Sequence, residues 1–404
     1  MFDTRSPTQD RQQKRNQQVT NLEKRPRSIC QTVAVSGQTT DVRSSQRSAA
    51  LIRQLTRCVD WSGPERLCQQ HEEESRFSKK QSKGKTGAKN TPSLCREVSE
   101  EKPDSKMQNH PEGAVAKVAA NAHTEVGKWC IRAVNKGIDG LREEFNKELK
   151  TYAPPEMSVA TFMANWDAGR SRYKDVPCQD KYRIVLKWPG SPTDYIHANY
   201  VSTPIAEKRF ICAQGPLDCT TADFWHMVLQ EESENVIMLC NVVEKGMAKC
   251  AQYWPLDEKE VKTYGDIEIK NMQVQPLIPT EPNVRFSLLQ LKWTEGGKPK
   301  EKQVRHYQWT DWPDRGVPPC RLTAMELLSR VRGTKNPIVV HCSAGIGRTG
   351  SIVAIEFIME RLQQAMVCED MGEILKDLRN QRPYCYDVDG EEQLFIRPLG
   401  VRRE

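Results

Sequence analysis

Residues 339–350 read VVHCSAGIGRTG and set a cysteine and an arginine six positions apart. Between Cys342 and Arg348 stand only Ser343, Ala344, Gly345, Ile346 and Gly347. Two glycines and two other small residues let the backbone curl, so that successive N–H groups converge on one point. Such a ring of donors suits a dianion. Arg348 adds a planar fork that can hold two phosphoryl oxygens at once. The same field favours the thiolate of Cys342, the form that attacks. A thiolate facing bound phosphate can form a phosphocysteine, which splits one hard hydrolysis into two easier steps. This chemistry calls for no metal and no cofactor.

A loop of this kind needs rigid elements on both sides. Asn336 and Pro337 are turn residues, and Ile338, Val339 and Val340 form a β-branched run suited to a buried strand. After Arg348, the residues Ile352, Val353, Ile355, Phe357, Ile358, Met359 and Leu362 are dense enough for a helix buried on most of its circumference. The loop is therefore expected at a helix N-terminus, where free N–H groups favour an anion. Upstream, Trp129, Ile131, Val134, Ile138, Leu141, Phe145 and Leu149 predict one face of a helix, ended by Pro154 and Pro155. A short helical stretch is expected around Phe162 and Trp166, then strands at 183–186, 194–201 and 209–213, with turns at Pro189-Gly190 and Ser191-Pro192. Residues 221–231 predict a helix that Thr220 or Thr221 could cap. Further strands are expected at 236–239, 285–293 and 304–309.

The string HCSAGIGR is similar to the signature of the cysteine-based protein tyrosine phosphatases, and the wording of several segments resembles non-receptor and nematode-expanded members. The resemblance extends, in order, through SRYKDVPCQD (171–180), DYIHANYV (194–201), AQGPL (213–217), EKGMAKCAQYWP (244–255) and DWPDRGVP (311–318). It implies one catalytic domain over residues 125–404, of α/β class, with a twisted mixed sheet flanked by helices. It also implies hydrolysis of phosphotyrosine in proteins. Asp314 would protonate the leaving tyrosyl oxygen and then activate water, with Trp312 and Pro313 as the hinge of its loop. His341 would brace the nucleophile, and the Thr349 hydroxyl would hydrogen-bond the thiolate. Glu244 would orient Arg348, and Lys249 would help hold the acid loop closed. Tyr173 would stack on the phosphotyrosine ring and make the slot too deep for phosphoserine. Asp175 would accept N–H bonds from the peptide, while Lys174 at the rim would favour acidic flanking residues.

Composition divides the chain. Residues 1–120 carry 22 Lys and Arg against 14 Asp and Glu, with few aromatics, whereas the remainder carries 38 against 39. The net charge of +7 thus belongs to a basic Ser-, Gln-, Arg- and Lys-rich tail expected to be disordered. Such a tail can hold an acidic partner or give nuclear access, although a solvated linker is the simpler reading, and nucleic acid is not the expected partner. GKT at 84–86 lacks the first glycine that a nucleotide-binding loop needs, and Leu51, Ile52, Leu55 and Val59 suggest a short basic amphipathic turn. No apolar stretch is long enough for a membrane span, and the N-terminus has no apolar signal core, so a cytoplasmic enzyme is expected. The 14 cysteines show no paired or metal-ligand spacing, which predicts reduced thiols, with Cys212, Cys240 and Cys250 as buried small residues.

The sequence departs from the family pattern twice. Ser171 stands where asparagine is usual, which should alter local hydrogen bonds only. Near the C-terminus, QRPYCYDVDGEEQLFI (381–396) places Asp387 or Asp389, depending on alignment, where the family's water-positioning glutamine belongs, with Gln393 nearby. Three readings follow: an active tyrosine phosphatase, a weak or trapped one that serves as a phosphotyrosine-binding module, and a dual-specificity or lipid phosphatase. Tyr173 argues against the last.

Overall fold

The computed structural model describes residues 112–279, 282–314, 316–318, 322–368 and 370–385, with backbone alone at 112–123 and 134. Helix α1 (Glu112–Glu144) starts inside the segment assigned to the tail, where Ala114, Ala116, Ala119 and Ala120 favour helix. It is interrupted at Gly137, whose φ of 62° and ψ of −177° belong to no helix, and it widens into a π-helical turn at Phe145–Leu149. Trp129, Phe145 and Leu149 are buried, and Ile138 and Leu141 pack against the core. Ile131 is 58 % exposed, against the sequence expectation. Two residues turn a helix by about 200°, so Ile131 cannot share a face with Trp129. The helix also stops short of Pro154, in the widened turn.

The short helix α2 (Ala160–Ala164) leads to strands β1 (Arg183–Val185), β2 (Tyr195–Thr203) and β3 (Ala206–Ala213). Helix α3 (Thr221–Gln230) and strand β4 (Asn235–Met238) follow. Neither threonine caps α3. The Thr220 hydroxyl accepts from Leu217 N and donates to Leu217 O within the preceding tight turn, and the Thr221 hydroxyl donates to Asp218 O. A two-stranded hairpin, β5 (Val243–Glu244) and β6 (Met247–Ala248), precedes β7 (Val261–Tyr264), β8 (Ile267–Pro276), β9 (Val284–Glu295) and β10 (Lys298–Trp309). Helix α4 (Thr323–Val331), strand β11 (Ile338–His341) and helices α5 (Gly347–Gln363) and α6 (Met371–Gln381) complete the described chain.

Nine strands form one sheet in the order β1-β2-β3-β11-β4-β10-β9-β8-β7. The centre is parallel, with β11 between β3 and β4 and β10 on the far side of β4, and both flanks are antiparallel. Parallel strands covered on both faces should be apolar throughout. Val236, Ile237, Val339 and Val340 are indeed fully buried. Helix α5 packs on this centre and buries Ile352 and Val353 together with two carboxylates. The buried acids are paired: Glu356 accepts from Arg332 Nε at 2.8 Å, and Glu360 lies 3.4 Å from Arg209 Nε. The functional consequence of the topology is local. The carboxyl end of the central strand β11 opens into residues 342–346, the place where open α/β sheets hold their ligands.

Candidate active site

The loop between β11 and α5 wraps its own cysteine. Cys342 is buried, and Gly345 N donates to its Sγ at 3.2 Å. Gly345 has φ +74°, and a Cβ there would stand 2.1 Å from Ala213 O, so no other residue fits without moving β3. Arg382 braces the loop from beneath: Nε donates to Gly345 O at 2.7 Å, Nη2 to Ala344 O at 3.2 Å and Nη1 to Asn199 Oδ1 at 2.6 Å. Gly215 N donates to Ser343 O at 3.0 Å and holds the loop from the β3 side. The bracing role of Arg382 has no local signal in the sequence, because its partners lie up to 183 residues away.

Arg348 is buried at the start of α5 and is held end-on. Nη1 donates to Glu244 Oε1 at 2.7 Å and Nη2 to Glu244 Oε2 at 2.9 Å, and Nη1 also donates to Trp312 O at 3.1 Å. Of the five N–H donors of an arginine, these bonds use three. The side fork of Nε–H and one Nη2–H remains for two phosphoryl oxygens. Burial works against the Arg348 charge, but the Glu244 bonds and the neighbouring Cys342 outweigh it and raise the guanidinium above its ordinary value. The group therefore stays cationic.

The acid loop begins where β10 ends. Thr310 N and Oγ1 both donate to Asn283 O, at 2.9 and 3.0 Å, and Asn283 Nδ2 donates to Asp311 Oδ2 at 2.6 Å. Trp309 Nε1 donates to Asp311 Oδ1 at 2.6 Å, so the stem is pinned at several points. Beyond it, Trp312 is buried against Trp309 and donates to Gly316 O at 2.9 Å, closing a turn over Pro313. This places Asp314 over the cysteine loop, with Oδ2 2.8 Å from Lys249 Nζ and Oδ1 3.5 Å from Arg348 Nη2. The bond to Asp314 raises Lys249 above the usual lysine range against the opposing effect of burial.

The cleft so enclosed has a volume of about 980 Å³ and is lined by Tyr173, Asp175, Lys249, Asp314, Cys342 and Arg348. Ser343, Ala344, Ile346 and Gly347 form its floor, and Tyr173 OH sits 2.9 Å from Ser343 Oγ. Lys174 is turned away, its ammonium set 5.1 Å over the Trp166 ring, and it does not line the cleft. Lys245 and Tyr384 do, and nothing in the sequence singles them out. Thr349 is fully buried, but its hydroxyl makes no hydrogen bond among the described residues, so the expected contact with the sulfur is not formed here. Ser171 is also buried, its Oγ 2.8 Å from Tyr195 OH. Cys212, Cys240 and Cys250 are buried as expected of small apolar side chains. Asp387, Asp389, Gln393 and the tail up to residue 111 lie outside the described residues.

His341 stands behind the nucleophile with its Nδ1 3.3 Å from Cys342 O and its Nε2 2.6 Å from Tyr253 OH. Burial, with Arg172 and Arg348 nearby, lowers its pKa to about 4, so the ring is neutral at ordinary pH. Among the described residues, no helix is long and apolar enough to cross a membrane.

Comparison with known proteins gives one consistent answer. The model of the family described as protein-tyrosine phosphatase matches residues 167–396. The tyrosine-protein phosphatase Lar-like of Caenorhabditis elegans is 36% identical over 241 residues, 58% of this chain and 10% of the relative. The human receptor-type tyrosine-protein phosphatase zeta is 37% identical over 239 residues, 56% of this chain and 10% of the relative. The chain thus spans about a tenth of the length of these curated relatives. The crystal structure of the catalytic domain of human protein tyrosine phosphatase non-receptor type 18 superposes with a TM-score of 0.55 at 24% identity, covering 71% of this chain and 95% of that one. Identity that low speaks for the fold.

Proposed function

The chain belongs to the protein-tyrosine phosphatase family, and from that premise we propose that it hydrolyses phosphotyrosine in proteins through a phosphocysteine on Cys342. The observation that carries the reading is the meeting of nucleophile, phosphate fork and acid in one cleft, with Arg348 bonded to the loop that carries Asp314. In the first step the Cys342 thiolate forms a bond to phosphorus while the phosphorus–oxygen bond to tyrosine breaks. The Asp314 carboxyl gives its proton to the departing phenolate oxygen. In the second, Asp314 takes a proton from water, whose oxygen attacks phosphorus, and the sulfur leaves with the electron pair. The Lys249 ion pair holds Asp314 over the cysteine loop, where both proton transfers occur.

Substrate class follows from the cleft. Tyr173 stands as a wall beside Ser343, and in this reading its ring stacks on an aryl phosphate and favours it over a short alkyl phosphate. Asp175 at the mouth is the acceptor we assign to backbone N–H groups of a peptide. Structures of the non-receptor type 18 phosphatase with HER2 phosphopeptides supply a parallel for peptide binding. For partners, phosphotyrosine proteins are the proposed substrates, with cytoplasmic signalling as the setting. A second reading, a slow or trapped enzyme that binds phosphotyrosine, is motivated by Asp387 and Asp389. The deciding experiment is turnover of a phosphotyrosine peptide by the full chain and by Cys342→Ser. Hydrolysis by the first, with binding but no hydrolysis by the second, is expected. Equal hydrolysis by both would place the chemistry elsewhere.

A further inference from the structure

We propose that His306 is a positioning residue for the nucleophile: through the Tyr253 hydroxyl it fixes which ring nitrogen of His341 carries the proton, and thereby holds the Cys342 carbonyl. The proposal rests on the phosphatase reading of Cys342. Tyr253 OH lies 2.7 Å from His306 Nε2 and 2.6 Å from His341 Nε2. All three side chains are buried. His306 belongs to β10, His341 ends β11, and Tyr253 bridges them across β4. The rings have little freedom. His306 stacks on Trp254 at 4.6 Å, and Tyr253 packs against Phe224 at 4.8 Å.

Counting protons decides the arrangement. Burial keeps both imidazoles neutral, lowering His341 to about 4 and His306 well below its ordinary value. Each ring therefore carries one N–H, and the tyrosine carries one O–H. The Tyr253 proton can go to His341 while His306 donates to the oxygen, or the reverse. His341 Nδ1 faces Cys342 O at 3.3 Å, and a carbonyl accepts only from a protonated nitrogen. Nδ1 of His341 therefore holds the proton, and its bare Nε2 accepts from Tyr253 OH. The Tyr253 oxygen is left to accept from His306 Nε2–H. Among the described residues this hydroxyl has one further hydrogen-bond partner, Met238 Sδ at 3.8 Å, a weak and distant acceptor.

Without the donor at His306, the Tyr253 oxygen is free to take an N–H from His341 and turn its own proton to the sulfur. The second tautomer of His341 then becomes accessible, with a bare Nδ1 set against the Cys342 carbonyl. That carbonyl is closely packed: a Cβ at Gly215 would stand 2.8 Å from it. Any shift there moves the loop that carries the thiolate.

The test uses the full chain, 15N-labelled, with long-range 1H–15N spectra of the histidine rings. The wild type should show His341 protonated at Nδ1. His306→Phe and Tyr253→Phe should show a mixture of tautomers, and His306→Gln, whose amide can donate to Tyr253, should restore the single form. On a phosphotyrosine peptide, His306→Phe should lose about tenfold in kcat with KM within about twofold, and His306→Gln should recover most of it. The double variant should be no worse than the poorer single one. A wild-type His341 protonated at Nε2, an unchanged spectrum in His306→Phe, or equal loss in the Gln and Phe variants would overturn the relay. If the wild type fails to hydrolyse the peptide, the phosphatase reading falls, and the spectra still decide the tautomer.

Discussion

The Glu244 carboxylate meets the Arg348 guanidinium fork to fork, at 2.7 and 2.9 Å, across 104 residues of sequence. Both groups are nearly water-free, so the pair orients the phosphate fork before any ligand enters. Breaking one half of such a pair leaves the other half buried and uncompensated, at about 3–5 kcal/mol. Glu244→Ala should therefore lower the melting temperature and cut kcat/KM by about a hundredfold or more, whereas Glu244→Gln should keep more of the fold than of the rate. Thermal melts alongside steady-state kinetics check this. A Glu244→Ala enzyme with ordinary kcat/KM would mean that Arg348 is positioned by other groups.

Asp314 sits over the cysteine loop on a segment pinned at its stem. Asp314→Ala should cost about 10²–10⁴ in kcat on phosphotyrosine with little change in KM. Aryl phosphates with good leaving groups should suffer much less, since their departure needs little protonation. Equal losses on both kinds of substrate would remove the acid role from Asp314.

The stem itself offers a separate test. Asn283 accepts twice from Thr310 through its carbonyl and donates to Asp311 through its amide. Asn283→Ala keeps the carbonyl and deletes the amide, leaving Asp311 with Trp309 alone on that side. We expect kcat to fall about three- to tenfold while hydrolysis of good leaving groups is nearly unchanged, because loop closure is loosened and the cleft is not. Unaltered kinetics would show that the Trp309 and Thr310 contacts suffice.

Three of the buried histidines, His197, His306 and His341, weaken the fold in acid. His341 is lowered to about 4 and His197 to about 3, and His306 also lies well below the ordinary 6.5, in each case chiefly by burial. A depressed folded value means that the unfolded chain binds the proton first. The stabilisation is complete above about pH 6.5 and is lost as pH falls from there toward 4. Each histidine contributes up to a factor of ten in the folding equilibrium per pH unit, so up to three protons should appear in the slope of urea-unfolding midpoints between pH 6.5 and 4.5. A flat profile there would mean that these rings are already charged in the fold.

The C-terminal departure predicts a kinetic signature. On the family alignment, a carboxylate from Asp387 or Asp389 would take the place of the water-positioning amide, add like charge at a phosphocysteine and be unable to donate as an amide does. Rapid mixing should show a burst of phenol followed by slower turnover, and Asp387→Gln or Asp389→Gln should raise the steady rate alone. Which substitution works identifies the alignment. The absence of both burst and response would hand the water to Gln393 or another group.

What could be read from sequence was what is local. The curl of residues 342–348 is written in contiguous small residues, and the flanking strand and helix in uninterrupted apolar runs, so loop and neighbours were placed correctly. The partnerships of Arg348 with Glu244 and of Asp314 with Lys249 span 104 and 65 residues, and only family resemblance brought them together. Arg382, Tyr253, His306 and Asn283 act through buried long-range bonds and left no pattern to follow. Strands β7 and β8 escaped because polar residues alternate through them on an exposed flank. Ile131 is apolar yet exposed, because apolar character alone does not fix the angle at which a residue leaves its helix.

Glu244 and Lys249 stand on the two arms of one small hairpin, β5 and β6 with the residue after it. One arm grips the phosphate clamp and the other grips the lid. Clamping and closing thus share a single lever, and the exposed Val243, which does not line the cleft, gives an outside molecule a handle on it. A ligand that pries this ribbon outward would disarm both functions together without entering the cleft or competing with phosphate. Such an inhibitor would lower kcat at saturating substrate, a behaviour that compounds directed at the charged pocket do not share.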